Sequence, residues 1–257
     1  MPLKEESIKP NITGIIPARY ASSRFPGKPL ALINGVPMVL RVWEKALESL
    51  KDVYIATDHE EIFEVAKKAG AKVLMTSSQH VSGTERVAEA ASRIFAGKNA
   101  VNEIIINIQG DEPLISSGAI NGLCKAFLNE EVKIATLIHK VIDQESKDNP
   151  NRPKVVIDRE NKAMYFSRAP IPWTATSPGS KTINPVYLHV GIYAYRFMYL
   201  QEIVTLPATP LEQVESLEQL RWMEHGYPIH CVETDYTGFG IDVPEDLVIL
   251  NSSLQGV

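Results

Sequence analysis

The sequence predicts an α/β fold in which helices cover a mostly parallel β-sheet. Two observations support this prediction. Short apolar runs rich in β-branched residues, typical of buried parallel strands, recur through the first half of the 257-residue chain. Amphipathic stretches with apolar residues at helical spacing lie between those runs. A chain of this length can bury a sizeable core, so we expect one domain with a smaller lobe.

The elements of the first half follow in order. Five apolar runs are predicted as strands, at 12–16, 53–56, 72–75, 104–108 and 134–138. A first helix is predicted from the spacing of Val36, Leu40, Trp43, Leu47 and Leu50, and a second from Ile62, Ala66 and Ala69. Two pairs with the spacing of capping boxes, Asp58 with Glu61 and Ser82 with Glu85, predict where helices begin.

The pattern changes near residue 150. Lys154–Ile157 and Ala163–Ser167 predict a β-hairpin, and the turn formers of 174–181 predict a mobile loop. Val186–Tyr195 predicts a strand whose side chains alternate between two faces. One face is polar and aromatic, with Tyr187, His189, Gly191, Tyr193 and Tyr195. We expect that face to be a wall for a hydroxyl-rich ligand.

Composition excludes several classes of protein. The formal net charge is −5 with no block of like charge, which argues against non-specific nucleic-acid or membrane-surface binding. Cys124 and Cys231 belong to no C-x-x-C pair, so we expect buried thiols and neither a disulfide framework nor structural zinc. Residues 1–10 lack the apolar core of a signal peptide, and no apolar stretch is long enough to span a membrane. We expect a soluble, cytoplasmic protein.

Three cations lie in the loop that follows the first predicted strand. Arg19, Arg24 and Lys28 stand among Ala, Ser and Gly residues, which let backbone N–H groups approach an anion. The loop therefore predicts a cradle for a polyphosphate, most simply that of a nucleotide. Neither the P-loop pattern nor G-x-G-x-x-G follows the strand, which disfavours an ordinary kinase or dehydrogenase loop. The alternative is a basic, solvated loop that closes the sheet.

Four loops should meet at one edge of the sheet, because ligands of open α/β sheets bind at the carboxyl ends of the strands. The cationic loop follows the first strand, and Thr57-Asp58 follows the second. Ser82-Gly83-Thr84 opens the helix after the third strand, and Gln109-Gly110-Asp111 follows the fourth. The sequence therefore predicts a single cleft.

Two aspartates are candidate metal ligands. Asp111 lies in a Gly-Asp-Glu-Pro turn after a buried strand, where its carboxylate can reach a Mg²⁺ that bridges phosphate oxygens. Asp242 follows Gly238-Phe239-Gly240, whose glycines permit close approach of the backbone to a ligand. Each has a structural alternative: Asp111 as a turn former, and Asp242 as a helix N-cap.

Five motifs in order resemble those of the sugar nucleotidyltransferases that make CMP-activated acidic sugars, in particular the CMP-Kdo synthetases (Kdo is 3-deoxy-D-manno-octulosonate). They are the cationic loop, Ala56-Thr57-Asp58-His59, Ser82-Gly83-Thr84-Glu85-Arg86, Gln109-Gly110-Asp111-Glu112-Pro113 and Gly240-Ile241-Asp242-Val243-Pro244-Glu245-Asp246. The resemblance extends from about residue 12 to residue 250. Phe239 and Val243 depart from the small polar residue and the Thr frequent in that family, which leaves the geometry near Asp242 open.

The resemblance implies a Rossmann-like, doubly wound sheet and an activity. The activity is cytidylyl transfer from CTP to Kdo, with Mg²⁺ held by the two aspartates, for lipopolysaccharide biosynthesis. It also implies a homodimer whose interface lies between about residues 150 and 219. We accordingly divide a single domain, 12–257, into a nucleotide-binding part (12–149), an inserted lobe for sugar binding and dimerisation (150–220) and a return to the main sheet (221–257).

The resemblance also assigns site residues. The expected catalytic set is Arg19, Lys28, Asp111 and Asp242, with Lys28 having the largest kinetic effect. The expected CTP contacts come from the four loops: Pro17, Ala18, Arg19, Arg24, Lys28, Ala56, Thr57, Asp58, Ser82, Gly83, Arg86 and Gln109. Backbone groups of Ala56-Thr57-Asp58 and Ser82-Gly83 would match the edge of a pyrimidine; that the base is cytosine comes from the resemblance alone. Asp58 is alternatively a helix cap, and Arg86 a member of a surface ion pair.

An acidic sugar needs a cation or an oriented donor for its carboxylate. Arg168, in a run similar to the family's Ser-Arg-x-x-Ile-Pro, is the candidate. The other expected sugar contacts are Gln109, His189, Tyr193 and Glu218. His189 is alternatively a structural histidine of its strand, and Glu218 a solvated carboxylate on the amphipathic helix predicted over 210–221.

Two rival functions remain open. One is a synthetase for CMP-sialate or another acidic sugar, which would differ in the acceptor pocket around Arg168, Gln109 and His189. The other is a catalytically silent sensor of sugar nucleotides. A sensor would keep the cationic loop but should lose a metal carboxylate, so the presence of both Asp111 and Asp242 argues against it.

Overall fold

The structure is a computed structural model, and it describes residues 11–22, 24–173 and 186–255. The loop predicted at 174–181 lies outside these residues. The strands of the described residues are β1 (Asn11–Ala18), β2 (Leu32–Ile33), β3 (Val36–Pro37), β4 (Asp52–Thr57), β5 (Lys72–Met75), β6 (Glu103–Asn107), β7 (Ile134–Val141), β8 (Lys154–Ile157), β9 (Ala163–Ser167), β10 (Val186–Arg196) and β11 (Ile229–Glu233).

The helices of the same residues are α1 (Met38–Leu47), α2 (Glu60–Lys68), α3 (Gly83–Ile94), α4 (Ser117–Ala126), α5 (Gln144–Asp148), α6 (Phe197–Ile203), α7 (Pro210–Glu215), α8 (Gln219–Glu224) and α9 (Pro244–Gln255). Each predicted strand and both predicted helices of the first half are present. Val36 and Leu50, at the ends of the predicted first helix, lie outside α1. No helix of the described ranges has the length and apolarity needed to cross a bilayer.

The main sheet has the strand order β5-β4-β1-β6-β10-β7-β11. The first four strands are mutually parallel, and β11 is parallel to β7, whereas β10 runs antiparallel to both of its neighbours. The α/β fold with a mostly parallel sheet is therefore confirmed. The β8–β9 hairpin, predicted with these bounds, pairs through β8 with β10. Part of the segment assigned to an inserted lobe, the strand β10, thus lies inside the main sheet.

Two apolar cores cover the two faces of the sheet. Neighbouring side chains of β1 show the division, since Ile16 packs with α1 and α4 residues and Ile15 packs with α3 and α6 residues. Both isoleucines are fully buried. Because each face is covered by helices, the strands read as continuous apolar runs in the sequence.

The pairing register of β10 shifts at a bulge, while the predicted alternation of its two faces is kept, since Tyr193 and Tyr195 lie in one core and Ile192 and Ala194 in the other. Val190 pairs with Leu137 of β7, and the next pair joins Tyr193 to Thr136, so the register shifts between them. Tyr193 and Tyr195 pack edge-on against the buried Trp222 of α8, inside the second core. In this structure α8 thus covers both tyrosines, and the predicted role of their face as a wall for a ligand stays a prediction.

The two predicted capping boxes have different outcomes. Ser82 caps α3 by accepting from the Glu85 N–H, while the Glu85 carboxylate accepts from the Val81 N–H. Asp58 does not cap α2, whose N-cap is His59 without a side-chain bond.

Both cysteines are free thiols, and burial raises the pKa of Cys124 to about 11 and of Cys231 to about 12.

Candidate active site

A cleft of about 360 Å³ opens at the carboxyl ends of β1 and β6. Three of the four predicted loops line it, together with the aspartate that precedes α9. Its lining includes Pro17, Ala18, Arg19, Arg24, Lys28, His80, Ser82, Gly83, Arg86, Gln109, Gly110, Asp111 and Asp242. At Gly110 an added Cβ would lie 2.8 Å from the Pro17 carbonyl oxygen, so only glycine lets the loop after β6 lie against β1.

The cationic loop is closed on itself before Lys28. The Gly27 N–H donates to the Tyr20 carbonyl at 3.0 Å, and Gly27 has a φ of +70°, which favours glycine. A short 3₁₀ turn, Lys28–Leu30, follows at once. This turn directs the half-buried Lys28 into the cleft, while Arg19 and Arg24 stay exposed along its rim.

Lys28 lies between the two predicted metal carboxylates. Its Nζ donates to Asp111 Oδ2 at 2.5 Å and to the Ile241 carbonyl at 2.8 Å, and lies 3.9 Å from Asp242 Oδ1. Arg24 donates to the same Asp242 oxygen at 2.9 Å. Charges from three distant parts of the chain therefore meet at one point of the cleft.

The donor set fits a magnesium ion that also binds substrate. Carboxylate oxygens are ligands that Mg²⁺ prefers, and such ions commonly take one or two carboxylates plus phosphate oxygens and waters. Within the described ranges no group of three or more His, Cys, Asp or Glu side chains is placed to hold a metal ion. Asp111 and Asp242 would accordingly supply the protein ligands, and substrate or water the others.

Arg86 lines the cleft from a nearly buried position, and its guanidinium is held by protein groups. Its guanidinium donates to Asp58 Oδ2 at 2.7 Å, to Thr76 Oγ1 at 2.6 Å and to the Ser77 carbonyl at 3.2 Å. The Arg86 side chain is 3% exposed, so the Asp58 carboxylate compensates a nearly buried charge. Asp58 therefore forms an ion pair and not the helix cap that its spacing predicted. The ion pair of Arg86 is nearly buried, whereas the alternative was a pair on the surface.

Ala56 and Thr57 are buried in their strand, and with Asp58 they lie behind the lining that the described residues form. These three residues do not line the first cavity, and their predicted contact with a base stays a prediction. Their backbone serves the fold, since the Thr57 carbonyl accepts from Thr76 N–H at 2.7 Å. This bond fixes the loop after β5 against the end of β4.

His80 is a lining residue that sequence reasoning missed. Its Nε2 lies 2.5 Å from Glu89 Oε2 and its Nδ1 3.6 Å from Glu85 Oε2, so two carboxylates of α3 hold the ring. Glu89 also accepts from the Ser77 N–H at 2.8 Å. The available signal was the position of His80, two residues before the cap of α3.

A second cavity of about 940 Å³ adjoins the first. The two cavities share Arg24, Asp111 and Asp242, so the paired aspartates stand at the boundary. The lining of the second cavity also includes His139, Asn149, Asn151, Arg152, His189 and Gly191. Gln109 reaches toward it, because its side chain donates to the Gly191 carbonyl at 3.1 Å.

His189 is the one predicted sugar contact that lines this second cavity among the described residues. Its ring lies between Phe166 and Tyr193, with centroids 5.1 and 5.3 Å away, and its Nε2 is 3.1 Å from Thr136 Oγ1. Burial lowers the pKa of His189 to about 3. The imidazole is therefore neutral near pH 7.

Arg168 is anchored to protein backbone. Its guanidinium donates to the carbonyls of Glu215 at 2.8 Å, Pro150 at 3.0 Å and Ser216 at 3.2 Å. The backbone N–H of Arg168 donates to the Glu215 carboxylate at 2.9 Å. Arg168 lines neither of the two cavities described above, and in this structure it joins β9 to α7 and to the segment before β8.

Tyr193 and Glu218 also face inward. Tyr193 is 6% exposed, and its hydroxyl has no hydrogen-bond partner among the described residues. The Glu218 carboxylate accepts from Thr84 Oγ1 at 2.6 Å, and burial raises the pKa of Glu218. The single amphipathic helix predicted over 210–221 is wrong, because Ser216, with a φ of +52°, separates α7 from α8. The chain turns Glu218 inward, which excludes the alternative of a solvated carboxylate, and its predicted contact with the sugar stays a prediction.

Behind the aspartates, Glu112 joins two loops. Its Oε2 accepts from the Phe239 N–H at 3.0 Å and from the Tyr236 hydroxyl. Burial raises the pKa of Glu112, an effect that these two hydrogen bonds oppose. Burial and the neighbouring carboxylate likewise raise the pKa of Tyr236.

Comparison with known proteins places this geometry in context. A family model described as Cytidylyltransferase matches residues 13–231. The 3-deoxy-manno-octulosonate cytidylyltransferase of Parabacteroides distasonis is 46% identical over 240 residues, covering 91% of this chain and 94% of that protein. The enzyme of the same name from Thermodesulfovibrio yellowstonii is 43% identical over 247 residues, with 94% and 97% covered.

Solved structures agree with these similarities. A CMP:2-keto-3-deoxy-manno-octonic acid synthetase, solved in complex with CTP, superposes with a TM-score of 0.87 at 37% identity, covering 96% of this chain and 99% of that one. A putative glucose-1-phosphate thymidylyltransferase from Bacillus anthracis gives a TM-score of 0.65 at 17% identity, covering 96% of both chains. The second likeness concerns the fold alone.

Proposed function

The chain belongs to the 3-deoxy-manno-octulosonate cytidylyltransferase family, and from this premise we propose that it transfers the cytidylyl group of CTP to Kdo. The products are CMP-Kdo and pyrophosphate, and the activated sugar serves lipopolysaccharide biosynthesis. The observation that carries the proposal is the placement of Lys28 between Asp111 and Asp242 at the boundary of two cavities. One cavity fits a nucleoside triphosphate, and the other lies where an acceptor must approach.

The cations of the first cavity bind the triphosphate. Arg19 and Arg24 can each offer a planar fork of donors to phosphate oxygens, and Lys28 offers a point charge. In this structure Arg24 and Lys28 are paired with carboxylates. Substrate binding exchanges those pairs for phosphate contacts, which places positive charge where negative charge develops on the departing pyrophosphate.

Asp111 and Asp242 would hold Mg²⁺, whose chemistry when bound is to neutralise phosphate charge and polarise the reacting group. The two carboxylates also hold Lys28 and Arg24 in the cleft when substrate is absent. Loss of either carboxylate therefore removes a ligand for the ion and a partner for the cations. We propose the same two side chains for both roles.

Transfer forms a bond between the anomeric oxygen of the sugar and the α-phosphorus, and it breaks the bond from that phosphorus to pyrophosphate. The hydroxyl proton passes to solvent. His189 is a poor base at neutral pH, since burial lowers its pKa to about 3. An anomeric hydroxyl is more acidic than an ordinary alcohol. The main contributions of the chain are therefore orientation and charge stabilisation.

Two further parts of the proposal concern assembly and compartment. We propose a homodimer formed through the segment 150–219, a proposal supported by exposed apolar side chains there, namely Met164, Trp173 and Val214. Sedimentation equilibrium would measure the mass of the assembly. We propose the cytoplasm as the site of action, since CTP is made there.

One assay tests the activity. Purified protein is incubated with each of the four ribonucleoside triphosphates, with Kdo or sialate as acceptor, and pyrophosphate release is followed. We expect turnover with CTP and Kdo, and at least about tenfold less with every other pair, a difference of ~1.4 kcal/mol in transition-state binding. Faster turnover with sialate would assign the chain a different acidic sugar, and release without any acceptor would indicate a hydrolase.

A further inference from the structure

Asp111 and Asp242 stand on loops that are far apart in the sequence, so their relative position depends on contacts between those loops. Part of the connection is made by backbone. The Ile241 N–H donates to the Asp111 carbonyl at 2.9 Å, and Lys28 Nζ donates to the Ile241 carbonyl at 2.8 Å. These bonds fix the residue next to Asp242, and the loop before it is held by a side chain.

That side chain is Glu112, the neighbour of Asp111. Its Oε2 accepts from the Phe239 N–H at 3.0 Å and from the Tyr236 hydroxyl, two residues of the segment that leads to Asp242. Both donors converge on one oxygen atom. Glu112 therefore ties the loop of the second aspartate to the loop of the first.

Two glycines let this loop approach the carboxylate. An added Cβ at Gly238 would lie 3.7 Å from Glu112 Oε1, and one at Gly240 would lie 3.6 Å from it. Gly238 has a φ of +70°, which a residue with a Cβ adopts at a cost. Gly238-Phe239-Gly240 thus folds around the Glu112 side chain, with the Phe239 N–H directed at it.

Glu112 is not placed as a metal ligand. Its Oε2 is occupied by two donors of the Tyr236–Phe239 segment, and its Oε1 faces the two glycines. No set of three His, Cys, Asp or Glu side chains in the described part of the chain is arranged to hold a metal, so Glu112 does not complete one with Asp111 and Asp242. Its role is to set where those two carboxylates lie.

We propose that Glu112 is a positioning residue for the metal site: its carboxylate holds the loop of Asp242 at the separation from Asp111 that Mg²⁺ and the triphosphate need. The inference rests on the proposed function, in which the two aspartates bind the ion. Partners outside the first coordination shell commonly contribute 10–100-fold to metal affinity or activity. A positioning role predicts a loss in that range, smaller than the loss of a ligand.

Calorimetric titration of Mg²⁺ into enzyme saturated with CTP, without sugar, measures binding of the ion apart from turnover. We expect Glu112→Ala to raise the Kd for Mg²⁺ by about 10–100-fold, with the affinity for metal-free CTP changed by less than about threefold. Glu112→Gln keeps an oxygen acceptor for the Phe239 N–H and should recover most of the loss. Tyr236→Phe, which removes one of the two donors, should have an intermediate effect.

Two controls separate the possible failures. Glu212→Gln removes a partly buried carboxylate that pairs with Arg221 away from both cavities, so the Kd for Mg²⁺ should not change. Asp111→Asn should abolish Mg²⁺ binding; if it does not, the proposed metal role itself fails. If Asp111→Asn behaves as expected while Glu112→Ala leaves the Kd within about threefold, only the positioning role is overturned. Two other results would also overturn it. If Glu112→Ala abolished Mg²⁺ binding as completely as Asp111→Asn does, Glu112 would be a ligand of the ion. If Glu112→Gln bound Mg²⁺ as weakly as Glu112→Ala, the effect would be one of charge alone.

Discussion

The nucleotide side and the acceptor side of this molecule use their charged residues differently. On the nucleotide side, Lys28, Arg24 and the two aspartates pair with one another across a cleft, where substrate can exchange the pairs. On the acceptor side, Arg168 and Glu218 line neither of the two cavities and already contact protein groups. The difference teaches that a substitution on the nucleotide side should change turnover with little effect on folding. A substitution of Arg168 or Glu218 on the acceptor side should change both turnover and folding.

The largest expected effect follows removal of a metal carboxylate. Asp111→Asn should lower kcat at least about hundredfold, or ~2.7 kcal/mol, because a neutral amide binds Mg²⁺ far less well. Asp242→Asn should behave similarly, and both proteins should stay folded by circular dichroism. Turnover of Asp111→Asn within about tenfold of the unmodified enzyme would contradict the metal role. A change confined to thermal stability in Asp242→Asn would favour its alternative role as a helix cap.

Lys28→Ala should give the next largest effect. We expect kcat to fall by about 10²-fold, in the range of a lost oxyanion donor, with a smaller rise in the KM for CTP, since the charge matters most as pyrophosphate departs. Steady-state kinetics with Kdo in excess give both constants. An unchanged kcat beside weaker CTP binding would assign Lys28 to ground-state binding alone. The thermal midpoint, measured in parallel, should change little because Asp111 remains partly exposed to water.

Arg168→Ala tests the acceptor side, where both activity and stability are expected to change. Three carbonyl groups lose their donor, and hydrogen bonds to a charged group are worth about 1.5–3 kcal/mol each. The KM for Kdo should rise more than about tenfold while the KM for CTP stays nearly constant, and the thermal midpoint should fall. Arg168→Lys should restore only part of the KM for Kdo, since the point charge of lysine cannot reproduce the planar fork of arginine.

The paired Michaelis constants decide among the roles of Arg168. A raised KM for CTP beside an unchanged KM for Kdo would put Arg168 at the nucleotide site. A lower thermal midpoint with both constants unchanged would make it a purely structural residue. Either result would remove the predicted link between Arg168 and an acidic acceptor.

The same two sides differ in how well the sequence predicted them. The β-branched runs gave the strands of the first half because parallel strands buried on both faces are apolar throughout. The convergence of Lys28, Asp111 and Ser82 then followed from topology, since the carboxyl ends of such strands share an edge. Asp242, far along the chain, was placed by its motif, and its pairing with Arg24 is a tertiary contact that no local pattern encodes.

On the acceptor side local patterns failed for identifiable reasons. A period of two assigned Tyr193 and Tyr195 to a ligand wall, but the period does not show that α8 covers that face. The acidic run at 210–221 has a helical pattern, yet Ser216 adopts a left-handed conformation and divides it. One local pattern also failed on the nucleotide side, where Asp58 had the spacing of a helix cap but its carboxylate pairs with the buried Arg86. In each case a tertiary partner outweighed a local preference.

The smallest effect on turnover is expected for Glu212, which lies in the acceptor-side segment and contributes to stability without lining either cavity. Glu212 accepts from Arg221 Nε at 2.7 Å and from the Thr209 N–H at 3.3 Å, and the two charged side chains are 14% and 15% exposed. The Arg221 guanidinium lowers the pKa of Glu212 below its usual 4.5. A carboxyl whose pKa is lowered by folding stabilises the protein above its unfolded pKa, and that stability is lost as pH falls through the folded pKa.

Glu212→Gln should therefore lower the free energy of unfolding at pH 7 by about 1.5–3 kcal/mol, the range for a hydrogen bond to a charged group. The difference from the unmodified protein should stay constant down to about pH 5 and shrink below about pH 4.5, where the carboxyl of the unfolded protein begins to protonate while the native carboxylate, with its lowered pKa, is still ionised. Urea unfolding at pH 7, 5 and 4 measures it, and kcat and both KM values at pH 7 should be unchanged. A difference that persists undiminished at pH 4 would show that the pair does not stabilise the fold through its ionisation. A changed KM for Kdo would show that contacts well outside the two cavities also set the acceptor side.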